Sequence, residues 1–395
     1  MRHLQKGLLV VTFVLGVAMS AYAAPFAYIT NQGSGTVSVF DLATNTVVAT
    51  IAVGTYPVGV AISPDLTRVY VVNAGAFGAP GTVSVVSTAT NTVIGTIPVG
   101  MNSIGAALSP NGTMLYVTNQ SSGTVSVIDT TTLAVVATVP VGWIPQGVVV
   151  SPNGQFVYVA NRDSGTVSVI STATNTVVGT VWVGISPSGV AVTPNGSLVY
   201  VTNLLSNSVS VISTATNMVI ATIPVGGSPL GVTVNSTGTL AYVASQGSGT
   251  ISVISTATQT VVNTISVGGA PRSIGVSADG TTLYVTNLSS NSIMVINAAT
   301  GAILASVPVG FSPIVMGTFV DAPAASVGGS TGGTGGGTIT SNEEAERDEV
   351  GEHDEGKHRA LGHQKKDSDQ NESDEQQQGP GSGQHTQERV EKGLE

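Results

Sequence analysis

The chain has 395 residues, of which 42% are hydrophobic and only 9% charged, with no cysteine and a formal net charge of −10. The missing cysteines exclude disulfides, a CxxCH haem attachment and a lipoprotein anchor. Gly, Pro, Asn and Ser cut every hydrophobic stretch well short of the roughly 20 residues that span a bilayer, so no membrane insertion is expected.

Arg2 and Lys6 precede an apolar run from Leu8 to Ala18, and Ala21-Tyr22-Ala23 has the small-x-small form of a signal-peptidase site. Residues 1–23 are therefore expected to be a signal peptide, and the protein exported to the periplasm, cell surface or medium. An uncleaved anchor is the alternative, but eleven apolar residues are too few to cross a bilayer.

From there one phrase recurs seven times, around tyrosines at 28, 70, 116, 158, 200, 242 and 284. The intervals are 42, 46, 42, 42, 42 and 42 residues, so one supersecondary unit is repeated with a single four-residue insertion. In the third unit, Tyr116-Val117-Thr118-Asn119, Thr124 to Asp129, Ala134 to Val141 and Gln146 to Ser151 are short, rich in β-branched residues and bounded by turn residues. They read as four antiparallel strands, without helical periodicity.

Ser151-Pro152-Asn153-Gly154 supplies a fixed φ followed by a pair that tolerates positive φ, and predicts a tight reversal. Asn119, at the end of its strand, is expected to start the next turn by bonding nearby backbone. The Ser171 to Thr176 run (STATNT) recurs almost unchanged at Ser87 and Ser213 and serves the third hairpin.

Both faces of each strand carry small or branched apolar residues, so each sheet needs a neighbour on either side. Radial stacking supplies both, which predicts an all-β, seven-bladed β-propeller of four-stranded antiparallel blades over residues 24–326. The phase of the repeat is decisive. The Tyr28 strand is the second of its unit, and Pro313 to Val320 matches the first strand, so the N- and C-terminal strands are expected to share one blade. An open β-solenoid would need polar capping repeats, and none is visible.

Tyr28-Ile29-Thr30-Asn31, Tyr116-Val117-Thr118-Asn119, Tyr200-Val201-Thr202-Asn203 and Tyr284-Val285-Thr286-Asn287, followed by TVSVID-like, VATIPVG and PxGVAVSPNG segments, resemble the YVTN β-propeller repeat proteins. The likeness covers Phe26 to Pro323. Tyr70-Val71-Val72-Asn73 and Tyr158-Val159-Ala160-Asn161 vary at the third position, and Tyr242-Val243-Ala244-Ser245 loses the Asn. The resemblance implies an exported or surface-layer propeller and no particular reaction. WD-type propellers match poorly, since the units hold no Gly-His or Trp-Asp pair.

The chemistry available is sparse. From Phe26 to Pro323 there is no His, Glu, Lys or Cys, and only six Asp and three Arg. Acid-base or nucleophilic catalysis would have to rest on Asp, Tyr, Ser and Thr without a histidine base. Asp41, Asp129, Asp65 and Asp279 occupy turn positions in different blades and are read as turn residues, not a calcium site. No cofactor or metal site is read. Arg68, Arg162 and Arg272 are too few and too scattered for phosphate contacts, so no nucleic acid is expected as a partner.

Comparing the repeats with one another, the STATNT rim scarcely changes, while two loops vary: the one before the first strand and the one between the second and third. In an up-and-down blade both lie on the same face of the disc. Tyr56, Trp143, Gln146, Arg162, Asp163, Arg272 and Phe311 are the candidate binding residues there, with the aromatic and cationic character of binding hot spots.

After Pro323, residues 327–340 read as a Gly-rich linker and 341–395 as a disordered acidic tail. The tail holds sixteen acidic and seven basic residues, which accounts for almost all of the net charge. His353, His358 and His363 have no fixed spacing geometry for a metal.

Together these features predict a non-enzymatic, monomeric, exported propeller that binds a protein, glycan or cell-envelope ligand. Two alternatives stay open: a hydrolase, lyase or redox enzyme with its ligand in the central channel, and an architectural surface-layer component.

Overall fold

The computed structural model describes residues 26–76 and 78–320. The expected signal peptide, linker and acidic tail lie outside the described residues. These residues form 27 strands and no helix, so no helix among them is long and apolar enough to cross a membrane.

Six consecutive sets of four strands form six antiparallel sheets whose spatial order follows the chain. The third unit is representative: Ser103–Leu108, Met114–Asn119, Thr124–Asp129 and Ala134–Pro140. The remaining sheet holds Phe26–Asn31, Thr36–Asp41 and Thr46–Ala52. Its fourth place is taken by the C-terminal segment: Ala27 bridges Val320 and Asn31 bridges Pro313, both antiparallel. The Tyr28 N–H donates to the Phe319 carbonyl at 2.9 Å, and the Ile314 N–H to that of Thr30 at 3.1 Å. The protein is thus a seven-bladed propeller closed by its two terminal segments, as the phase of the repeat requires.

Burial follows from this arrangement. The second and third strands of each blade are buried on both faces, so a tyrosine and its neighbouring valines serve different interfaces. Tyr116 packs with Val148 and Val157 of the next blade, while Leu115 and Val117 pack with Tyr70 and Val83 of the preceding one. At the seam, Val315, Phe319 and Val320 complete a cluster with Tyr28 and Phe40, and Phe40 meets Tyr284 edge-on at 6.2 Å. The outermost strands differ from the expectation of two apolar faces: Ala134–Pro140 is mostly exposed, because nothing packs outside it.

The innermost strands crowd the axis. A Cβ on Gly189 would stand 2.2 Å from the Leu230 carbonyl oxygen of the next blade, and one on Gly147 would stand 2.4 Å from that of Ser188. Only glycine lets neighbouring inner strands approach so closely. In the last two blades Ser273 and Val315 replace this glycine, and the Ser273 hydroxyl accepts the Val315 N–H at 2.7 Å.

Candidate functional site

The two variable loops of each blade lie together on one face, joined backbone to backbone. The Arg162 N–H donates to the Ile144 carbonyl at 3.0 Å, that of Gln246 to Ser228 at 3.0 Å, and that of Gln32 to Ser312 at 3.1 Å.

In four blades a buried asparagine ties its strand to the preceding loop: Asn73, Asn119, Asn203 and Asn287 each accept a backbone N–H from it. Asn119 Oδ1 accepts the Gly100 N–H at 3.1 Å, and its Nδ2 donates to Thr124 Oγ1 at 3.0 Å and Ser126 Oγ at 2.9 Å. This corrects the expectation that Asn119 starts a turn through nearby backbone: it ties its strand to the next one and to the preceding loop. A Cβ on Gly100 would lie 2.5 Å from the Asn119 side chain, and Gly54, Gly142, Gly184 and Gly310 crowd their asparagines in the same way, which explains the Val-Gly before these five loops. Where Ser245 replaces the asparagine, its buried hydroxyl has no partner.

The same loop position adopts positive φ in blade after blade, at +53° for Tyr56, +54° for Ile144 and +57° for Ser186. For the β-branched Ile144 this is a costly conformation, held because the surrounding loop bonds leave no other.

The threonine of the repeat sets the inner strands. Thr118 Oγ1 accepts the Gly105 N–H at 2.8 Å and donates to the Gln146 carbonyl of the next blade at 2.7 Å. Thr202 makes the same pair of bonds with Gly189 and Leu230. The residues beside these glycines therefore encircle the axis at fixed positions.

There they surround a cavity of about 240 Å³ lined by Gln146, Arg162, Ser188, Leu204, Leu230, Gln246, Arg272, Ser273, Ile314 and Met316. Arg272 Nε donates to Gln246 Oε1 at 3.2 Å. Burial pushes its guanidinium below its ordinary value, and no carboxylate acts on it. The Arg162 and Gln146 side chains make no hydrogen bond among the described residues. Ser273 and Met316 also border the axial channel, about 460 Å³ in volume, whose lining among the described residues is apolar, glycine, serine and threonine.

Of the candidate residues, the structure brings Gln146, Arg162 and Arg272 together at this mouth. Trp143 and Phe311 are 77% and 69% exposed on loops outside its lining, and Asp163 is likewise exposed, its N–H bonded to the Trp143 carbonyl. Tyr56 lines a different cavity, with Gln32, Met101, Asn102 and part of the four-residue insertion. Gln246, Leu230 and Ile314 were absent from the candidate set, although they share repeat positions with Arg162 or Gln146. The three arginines are not uniformly scattered: only Arg68 stands apart, donating to the Thr130 carbonyl at 3.1 Å.

The aspartates at turns accept hydrogen bonds as expected. The Ser63 hydroxyl, then the Thr67 N–H, holds Asp65 below the usual carboxylate range; Ser277 and Thr281 do so for Asp279. The Thr132 and Thr131 amides lower Asp129. Among the described residues no group of three His, Asp or Glu could hold a metal ion.

A family model described as "Lactonase, 7-bladed beta-propeller" matches residues 103–180 and 171–262, less than half of the chain. No curated protein matches. Among solved structures, the chain is similar to Kuenenia stuttgartiensis hydrazine synthase, with TM-score 0.59 and 20% identity over 66% of this chain and 88% of that one. It is also similar to a functionally unknown protein from Desulfotomaculum acetoxidans, with TM-score 0.63 and 17% identity over 75% of this chain and 98% of the other. A third is the dihydro-heme d1 dehydrogenase NirN in complex with DHE, with TM-score 0.55 and 15% identity over 73% and 74%. At such identities the likeness concerns the fold.

Proposed function

We propose that this chain is an exported, non-enzymatic propeller of the YVTN-repeat kind that captures a protein, glycan or other cell-envelope ligand on the face carrying its variable loops. It acts as a monomer and without membrane insertion.

One observation carries this reading. Among the described residues no titratable side chain lines the axial channel, whereas two of the three arginines of the repeat region border its mouth on the variable face. Guanidinium and amide groups bind and orient, but they do not take a proton from an attacking water or hydroxyl at neutral pH. The exposed Trp143 and Phe311 add aromatic area of the type that dominates interface energetics.

The test is capture of envelope components by the full-length protein compared with a Trp143→Ala/Arg272→Ala double variant. The reading expects capture to be lost with the melting temperature unchanged; undiminished capture by the double variant contradicts it.

A second reading, a propeller hydrolase, is favoured by the lactonase match over residues 103–262. A panel of lactones offered to the full-length protein in a pH-stat distinguishes it. Sustained proton release that Arg272→Ala abolishes would replace the binding reading.

A further inference from the structure

The channel mouth carries positive charge that no described residue neutralises. Arg272, from the inner strand Pro271–Val276, is partly buried and spends only its Nε on Gln246. Its two terminal nitrogens form no bond among the described residues, and no carboxylate lies near enough to influence it. Arg162 follows the strand Phe156–Asn161, three blades away in the chain, and its guanidinium has no partner among the described residues either. A partly desolvated cation without a counter-ion is costly, and structural arginines normally spend their donors on carbonyls, as Arg68 does with Thr130.

The remaining lining defines what a ligand must be. Gln146 offers an amide with no partner among the described residues, while Leu230, Ile314 and Met316 add apolar lining. At about 240 Å³ the space lies below the ~300–1,000 Å³ of drug-sized ligand sites.

We propose that the mouth formed by Arg162, Arg272, Gln146 and Gln246 binds a small molecule with a carboxylate head and a short aliphatic body. The carboxylate engages the planar forks of both guanidinium groups, the geometry that arginine matches in a bidentate manner. The aliphatic part rests on Leu230, Ile314 and Met316. This rests on the binding-face reading and gives it a ligand class. The carboxylate is either a free metabolite or the acidic end of a larger envelope component.

Calorimetric titration of the full-length protein tests this with three probes: hexanoate, hexanol with the same body but no charge, and inorganic phosphate with charge but no body. Hexanoate is expected to bind one site, and to bind at least tenfold more tightly than either of the others. Arg272→Gln and, separately, Arg162→Gln should each weaken hexanoate at least tenfold, while Arg68→Gln leaves it unchanged. Two independent variants guard against one that fails to fold.

Absence of hexanoate binding, equal affinity for phosphate, or wild-type affinity in either arginine variant would each overturn the proposal. If hexanoate fails yet envelope capture still depends on Trp143, the ligand class is wrong while the binding face stands. Loss of both removes the binding reading itself.

Discussion

Thr118 and Gln146 lie on neighbouring blades, and the hydroxyl of the first donates to the carbonyl of the second at 2.7 Å. That bond fixes the backbone of Gln146, whose side chain lines the channel mouth. Inter-blade cohesion and the geometry of the candidate site therefore share a residue.

Thr118→Val keeps the shape but removes this donor and the acceptor for the Gly105 N–H. Because the site is buried, a loss of about 1–3 kcal/mol is expected, read as a lowered midpoint in urea with the fold retained. The fold should survive, since Val72 and Ala160 stand at the same repeat position in other blades. An unchanged midpoint would mean that these bonds do not contribute to holding the blades together.

Gly189→Ala tests the crowding at the axis. The new methyl would have to displace the Leu230 carbonyl, now 2.2 Å from where the Cβ would sit, and overpacking of this kind costs about 1–3 kcal/mol or more. The alanine variant should melt lower than wild type. A neutral effect would show that the inner strands are farther apart than described.

The pH dependence of stability should be flat in the middle and fall at both ends. Burial raises the phenols of Tyr116, Tyr158, Tyr200, Tyr242 and Tyr284 above their ordinary value of 10.0. The unfolded chain thus loses these protons first, and stability present below about pH 10 declines as pH rises through the folded values. Asp65 and Asp279 are lowered from 3.8, so their contribution holds above that value and is lost as pH falls through the folded ones. Residues 26–320 contain no His or Glu, so melting temperatures between about pH 5 and 9 should form a plateau. A step between pH 6 and 8 would contradict this account.

The fold was legible because its signal is periodic: seven tyrosines at near-constant spacing and a repeat cut out of phase at its two ends. The role of Asn119 was not legible, since its partners are an amide nineteen residues earlier and hydroxyls five and seven residues later. A local turn accounts for the same residue equally well on sequence alone.

The site was half legible. Repeat comparison picks out the variable face, but the distance of each residue from the axis depends on where the inner strand begins. Trp143 and Gln146 are three residues apart, yet one stands on an exposed loop and the other lines the mouth. Gln246 becomes a site residue only through its bond with Arg272 of the next blade, and Ile314 only through ring closure.

That closure is the claim on which the mouth depends, since Ile314 and Met316 come from the C-terminal segment and Gln146 and Arg162 from the middle of the chain. The full-length protein has no native cysteine, so an Ala27→Cys/Val320→Cys variant reports one contact alone. Antiparallel partners lie about 4.5–5.5 Å apart between Cα atoms, within the span a disulfide bridges. Mild oxidation should give an intrachain disulfide, seen as faster migration on a non-reducing gel and a raised melting temperature. A variant that stays reduced, or cross-links only between molecules, would contradict the closed ring.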